Sequence, residues 1–421
     1  MRTNNLYRLT SIFLITIAIL SYFFGFYMNE NSAGAGSYEG DFKQIWNNIQ
    51  IFLANDLVTS IQHPSYDDSR APTAYIFHEI FNPFIKSEIS FRRCVFVIST
   101  SLPILLYFCL RKKFKNEEGL ILMLISSTLF LSPYFRTTAY WGLEENYGLI
   151  FLLLTYLAAD FLDKENNEFQ FKEYVKLIIV ILLSSLCFYF DQKLIIIPII
   201  CFFKIFSIFC YFLFSLPYIY FIMLWGTLIP TSASVARNVG NKLFLDHLGF
   251  ALTIIAFYLL PILLFKGEKL ITLIRNLFSN KKNYFLSIFF IFYLIYLISS
   301  YGLSQDYFQG KGIIFKASLI LFEDHYYGSI FIYISFLISW LIVLIYFDKV
   351  LKDFYILGYF LILSVILHPI YQEYFDPLIL ILAFTFFSTK IYVNYKNSII
   401  LYLYLSILLI SANVYYYNLL N

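Results

Sequence analysis

Apolar runs broken by short polar connections recur along the whole chain. A bilayer with a hydrocarbon core about 30 Å thick needs runs of this kind. They predict an all-α, polytopic membrane protein with about thirteen transmembrane helices. The expected spans are 9–28, 92–110, 118–133, 146–162, 177–190, 194–208, 211–229, 247–265, 284–300, 328–347, 354–368, 376–390 and 398–416. The whole chain, 1–421, reads as one transmembrane domain. The run 9–28 follows Arg2 and Arg8 and is long for a signal-peptide core, so it is expected to be an uncleaved first helix.

The one long early connection is 29–91. It begins with a Gly-, Ala- and Ser-rich stretch at 31–37. Ile45, Ile49 and Phe52, with Trp46, Leu53 and Leu57, then recur at helical spacing, which predicts an amphipathic helix over 42–58. Tyr75, Phe77, Ile80, Phe81 and Phe84 predict a second one. Both are expected to lie flat at the membrane surface. A polar, turn-rich segment at 63–72 joins them.

Charge fixes the expected orientation. The short basic connections 111–115 and 266–282 fall on one side of the membrane, and short loops beside spans carry the positive-inside signal. The N-terminus is therefore expected in the cytoplasm. His63, His78, His247, His325 and His368 then all fall on the outer face, as does loop 29–91. Composition agrees: 60% of residues are hydrophobic, 14% are charged, and mean hydropathy is +0.71. A net charge of +3 gives no reason to expect nucleic acid. Cys94, Cys109, Cys187, Cys201 and Cys210 lie in or beside apolar runs, without metal spacing, and read as small core residues.

The candidate chemistry collects at outer span ends. Glu39 and Asp41 follow the first span closely, and Asp68 and Arg70 lie in the polar turn. Arg136 and Glu145 sit in the aromatic connection 132–147; Asp191, Gln192 and Lys193 interrupt the stretch after the fifth span. Arg237 follows the seventh, and His368 and Glu373 precede the twelfth. A carboxylate at the lipid–water boundary can act as general base toward a hydroxyl. Asp41 could equally be the N-cap of the 42–58 helix. Arginine and lysine can hold a phosphate. His63, Asp67, Asp68 and His368 are residue types a divalent ion takes, so a metal stays open, although nothing fixes their proximity. No phosphate-binding glycine loop, zinc-protease motif, calcium loop or nucleophile elbow occurs.

A first span, an outer loop with an early acid and surface helices, and then many spans together resemble the GT-C class of membrane glycosyltransferases. Within it the chain looks most like the dolichyl-phosphate-glucose α-1,2-glucosyltransferase family. Asp41-Phe42-Lys43-Gln44 resembles that family's Asp-Glu pair followed by His and Gln. Asp67 to Tyr75, with Pro72 three residues before Tyr75, resembles its Trp-Asp-Pro…Pro-Pro-Gly-x-Tyr stretch. Phe190-Asp191-Gln192-Lys193-Leu194-Ile195 resembles its Phe-Arg-Gln-Thr-Asn-Ile. Phe42 replaces the second acid, one proline replaces two, and Asp191 replaces the arginine.

The resemblance implies an inverting transfer from a polyprenyl-phosphate-linked sugar to a glycan or glycolipid acceptor on the extracytoplasmic face. Asp41, or Glu39, would take the acceptor proton. Arg136, Lys193 or Arg237 would stabilise the departing phosphate. Asp68, Arg70, Glu145, Asp191, Gln192, His368 and Glu373 would complete donor or acceptor binding. The Ile/Lys/Asn/Phe/Tyr bias suggests the plasma membrane of a bacterium with AT-rich codons. The rival readings are an envelope polysaccharide polymerase or ligase, which the loop 301–327 keeps alive, and a lipid or glycan transporter.

Overall fold

The computed structural model describes residues 2–417, apart from 35, 69, 160–170, 202–204, 228–229, 231–242, 269, 280, 304–309, 323 and 348–350. Every regular element among the described residues is helical. The chain divides into two compact units. The first, Met1–Arg237 with Leu405–Asn421, contains α1 (Arg2–Tyr27), α2 (Lys43–Ala54), α3 (Leu57–Ile61), α4 (Thr73–Phe81), α5 (Glu88–Ser99), α6 (Ser101–Lys113), α7 (Gly119–Ser127), α8 (Pro133–Trp141), α9 (Glu145–Ala158), α10 (Phe171–Phe190), α11 (Ile196–Ile200) and α12 (Ile205–Trp225). The second, Asn238–Tyr404, contains α13 (Asp246–Ile262), α14 (Leu270–Ser279), α15 (Lys281–Tyr296), α16 (Gly312–Leu321), α17 (His325–Phe347), α18 (Leu351–Ile366) and α19 (Leu378–Phe384). The last helix, α20 (Tyr395–Tyr416), has residues in both.

Among the described residues, seven helices are long and apolar enough to cross a membrane: Asn5–Tyr27, Glu88–Lys113, Ile208–Trp225, Asp246–Lys266, Asn283–Tyr301, His325–Phe347 and Tyr395–Tyr416. An eighth candidate is bent by 64° between Gly119–Leu131 and Pro133–Trp141. The runs 146–162, 177–190 and 354–368 correspond to the shorter apolar helices Glu145–Ala158, Tyr174–Phe190 and Asp353–Ile366. In 194–208, a 3₁₀ turn at Gln192–Ile195 leads into the five-residue α11, and 202–204 lie outside the described residues. In 376–390, the helix stops at Phe384 and the chain runs on without regular structure to 394. Buried Asp353 takes over the backbone there: its carboxylate accepts from Ser388 N and Thr389 N, both at 2.9 Å, and from Thr389 Oγ1 at 3.0 Å. A carboxylate that satisfies consecutive N–H groups replaces the helical ladder.

α1 shows how these spans are built. No charged residue occurs between Arg8 and Glu30. Three of its hydroxyls bond back to its own carbonyls, Ser11 to Tyr7 O at 2.8 Å, Thr16 to Ile12 O at 2.9 Å and Ser21 to Ala18 O at 2.9 Å, and so need no water. Leu9, Phe13, Leu20 and Phe24 form an exposed apolar face that suits lipid. On the other face Tyr22 stacks on Phe96 and Phe135. Two lysines close helix C-termini, where carbonyls lack partners. Lys112 Nζ donates to Tyr156 O and Leu157 O at the end of α9; Lys266 Nζ donates to Ile345 O and Tyr346 O in α17.

The 29–91 loop holds α2 and α4 as separate amphipathic helices. α2 buries Ile45, Asn48, Ile49 and Phe52, and α4 buries Ala74, Tyr75 and His78. The predicted 42–58 helix breaks after Ala54, because Asp56 starts α3 as its cap, accepting from Val58 N and Thr59 N. The loop is tied to the end of α12: Trp225 Nε1 donates to Ile61 O, and Gln62 Nε2 to Leu224 O.

Candidate active site

Three acids of the first unit, Asp68, Glu144 and Glu145, converge on Arg70. The short segment that carries it is fixed from two sides. From α2, Gln44 Nε2 and Asn48 Nδ2 donate to Asp67 O, and Asp67 N donates to Asn48 Oδ1 at 3.2 Å. From α4, the Tyr75 hydroxyl donates to Asp68 Oδ2 at 2.5 Å and receives Asn48 Nδ2 at 3.2 Å. Asp68 in turn accepts from Arg70 N at 2.9 Å and from Arg70 Nε at 3.3 Å.

The bend after α8 supplies the opposing acids. Ser132 caps α8 by accepting from Phe135 N, with Pro133 behind it. The helix ends at Gly142, whose φ of 76° favours glycine and where a Cβ would lie 2.5 Å from Phe91 Cε1. The chain then turns Glu144 and Glu145 toward Arg70. Arg70 Nη1 donates to Glu145 Oε1 at 2.6 Å. Arg70 Nε lies 2.8 Å from Glu144 Oε1 as an ion pair, and neither Glu144 oxygen accepts a hydrogen bond among the described residues. Asp191, in the turn after α10, accepts from Lys193 N at 3.2 Å and lies 3.2 Å from Lys193 Nζ. Gly148 admits this turn, since a Cβ there would come within 2.8 Å of Asp191 Cβ.

Asp41 sits in the turn before α2, half-buried. It does not cap α2: the N-cap is Phe42, and no side chain bonds the exposed N–H groups. Among the described residues its carboxylate accepts no hydrogen bond. Burial raises its pKa above the usual carboxylate range; Arg70 opposes this, while Glu145 and Asp68 add to it. Burial also pushes the pKa of Glu144 well up, against the pull of Arg70. Asp191 is raised by burial against the pull of Lys193. Carboxyl groups (Asp41, Asp68, Glu144, Glu145, Asp191) thus outnumber cations (Arg70, Lys193). Among the described residues no group of three or more His, Cys, Asp or Glu could hold a metal ion. The guanidinium occupies the centre of the acids instead.

A cleft beside Arg70 and Glu144, lined also by Ile45, Tyr75, His78 and Phe91, has a volume of about 10 Å³. That is room for about one water and not for a sugar ring. His78 is buried, and burial lowers its pKa to about 4. As a neutral ring it accepts from Asn82 Nδ2 at Nδ1, 3.1 Å, and donates from Nε2 to the Tyr147 hydroxyl, 3.0 Å.

Of the residues expected from sequence, Asp41, Asp68, Arg70, Glu145, Asp191 and Lys193 meet here. Glu39 is exposed and paired with Lys43 at 3.4 Å. Gln192 donates from Nε2 to the Tyr218 hydroxyl of α12 at 2.8 Å. Arg136 is engaged elsewhere in the unit: buried, it donates to Ser21 O, Ser21 Oγ and Phe130 O and pairs with Glu30. Arg237 lies outside the described residues. His368 and Glu373 belong to the second unit, where His368 stacks with Phe244 and His247.

Glu144, Asn48 and His78 were not picked out from sequence. An acid next to Glu145 gave a signal for Glu144. Asn48 gave none, since a lone polar residue on a buried helix face has no spacing signature. Tyr75→Phe is expected to cost about 2 kcal/mol, because it strips buried Asp68 of a donor. A thermal midpoint equal to wild type would show that this bond does not hold the Arg70 segment.

No family model, curated protein or solved structure matches the chain.

Proposed function

We propose that the protein is a multi-pass membrane glycosyltransferase of GT-C-like architecture. It moves a sugar from a polyprenyl-phosphate donor to a hydroxyl of a glycan or glycolipid, at the extracytoplasmic face of a bacterial plasma membrane, with its N-terminus in the cytoplasm. The observation that carries this reading is Asp41. It is an acid just beyond the first span, half-buried, without a hydrogen bond and raised in pKa, beside a fixed polar cluster. Those are the properties of a base held ready for a proton.

Asp41 takes the acceptor hydroxyl proton as that oxygen bonds to the anomeric carbon. The bond from that carbon to the phosphate oxygen breaks, and its electron pair leaves with the polyprenyl phosphate. The anomeric configuration inverts. The excess of carboxyl groups suits the acceptor side of this step, because acids bind hydroxyls and repel a phosphate. Arg70 and Lys193 are already paired with carboxylates and do not serve as phosphate ligands.

A transporter reading draws on one observation. In the second unit Asp246 and His247 are fully buried, and Lys311 is 1% exposed with Nζ 4.7 Å from the Phe315 ring centre. Buried ionisable groups in membrane proteins often mark ion or substrate paths. Purified protein in vesicles, given labelled polyprenyl-phosphate sugar and a lipid extract as acceptor, separates the readings. Label on one acceptor sugar is the expected result. Long labelled polymers would favour a polymerase, and label that only crosses the membrane would favour transport.

A further inference from the structure

In the second unit, the end of the Asp246–Lys266 helix that leads into α14 carries a surface unrelated to the acid cluster of the first unit. Two observations meet there. One is the stretch without regular structure after α19. Its backbone is tied down at both ends: Asp353 accepts from Ser388 N and Thr389 N, Tyr392 N donates to Phe265 O at 2.6 Å, and Asn397 Nδ2 donates to Leu264 O at 2.8 Å. Held this way, the chain alternates sides as a strand does. Thr389, Ile391 and Val393 are buried; Lys390, Tyr392 and Asn394 are exposed, and so is Lys396 just beyond. Tyr392 is 61% exposed, and its ring stands against the connection into α14, where a Cβ on Gly267 would lie 3.1 Å from Tyr392 Cδ2.

The other is α14 itself. Its apolar residues fall at 270, 271, 273, 274, 277 and 278, the spacing of an amphipathic helix. Leu273 is buried, but Ile271 is 75% exposed and Ile274 is exposed as well, so the apolar side is left uncovered at these two positions. Arg275 is exposed beside them. From 266 to 282 the sequence holds five cations, Lys266, Lys269, Arg275, Lys281 and Lys282, against Glu268 alone. Lys266 closes α17. Arg275, Lys390 and Lys396 pair with no acid among the described residues. Exposed Leu260 and Leu264, about one turn apart, carry the apolar surface of the Asp246–Lys266 helix up to this edge. An apolar band that ends in an aromatic ring and cations has the composition of a membrane interface.

We infer that this edge, Ile271, Ile274 and Tyr392 with Arg275, Lys390 and Lys396, is a docking surface for anionic phospholipid headgroups. The apolar side chains enter the boundary between headgroups and acyl chains, and the cations meet the lipid phosphates. Continuity with the apolar face of a helix long enough to span selects lipid over a soluble partner. In the orientation expected from charge, this end faces the cytoplasmic leaflet, whose negative surface attracts such cations. The inference is independent of the reaction proposed for the first unit. Each cation at a negative surface strengthens binding by about fivefold, and salt screens the effect.

Delipidated full-length protein in neutral detergent is titrated with phosphatidylglycerol and separately with phosphatidylcholine, and bound lipid is counted by native mass spectrometry. The wild type is expected to bind phosphatidylglycerol about tenfold more tightly, with a preference that shrinks as salt rises. The triple variant Arg275→Gln, Lys390→Gln, Lys396→Gln should lose about tenfold for phosphatidylglycerol and nothing for phosphatidylcholine. Lys86→Gln with Arg93→Gln, which removes two exposed cations of the first unit, should change neither Kd. Equal wild-type affinity for the two lipids overturns the inference, as does an unmoved Kd in the triple variant or an equal loss in both variants. Glycerol phosphate that competes with phosphatidylglycerol at equal concentration also overturns it, since the surface would then take a free anion. A second measurement needs no variant. Hydrogen exchange over 270–279 and 390–396 should slow in nanodiscs containing phosphatidylglycerol relative to phosphatidylcholine alone, and unchanged exchange there would refute the docking.

Discussion

Asp41→Asn is expected to abolish the proposed sugar transfer and to leave the amount of folded protein in the membrane unchanged. The two halves of this expectation have separate causes. Asparagine keeps the shape of the side chain but cannot take a proton. Loss of a positioned general base costs about 10²- to 10⁴-fold in rate, or roughly 3–5 kcal/mol of transition-state stabilisation. Folding loses nothing comparable, because the Asp41 carboxylate neither caps α2 nor accepts a hydrogen bond among the described residues.

The pKa supports the same conclusion. Burial raises Asp41 above its unfolded value, so ionising it costs stability as pH rises through the folded pKa. At neutral pH asparagine removes that cost. The variant should match or slightly exceed wild type in thermal midpoint, and the gap should close as pH falls toward the unfolded carboxylate range. Wild-type activity should fall on acidification at a pH above the usual carboxylate range. Transfer by Asp41→Asn at the wild-type rate would take Asp41 out of the mechanism.

The second large effect is on stability. Arg136→Ala is expected to cost about 3–5 kcal/mol, the range for leaving one member of a buried pair alone. Arg136 is 2% exposed. It donates to Ser21 O at 2.7 Å, to Ser21 Oγ and Phe130 O at 3.1 Å, and pairs with Glu30. Glu30 is itself bound by Trp141 through its carbonyl and by Asn413 through its carboxylate. Truncating the arginine leaves that carboxylate buried without its cation. Folded yield and thermal midpoint should both drop. Arg136→Met with Glu30→Leu should recover most of the loss, since removing both charges removes the penalty. A stable Arg136→Ala that instead needs more lipid donor would return this arginine to the phosphate site.

These two residues differ in how much of their surroundings is local. The place of Asp41 was legible because it is local: an acid soon after an apolar run long enough to span. The first loop was legible for the same reason, through the spacing of Ile45, Ile49 and Phe52. Arg136 looked like Arg70 from sequence, each a basic residue near acids and aromatics in an outer connection. One proves to brace α1 against α8, and the other to centre the acid cluster. The run 376–390 was as apolar as its neighbours, yet Asp353, far away in sequence, holds its second half out of a helix.

By itself the sequence determined that this chain is built of apolar helices with a long polar loop after the first, because partitioning into lipid adds up residue by residue along each run. Only the tertiary structure decided which charges meet. Arg70 finds Glu145 across 75 residues, and Arg136 finds Glu30 across 106. Pairing at those separations depends on how the helices pack, and hydropathy carries no record of it.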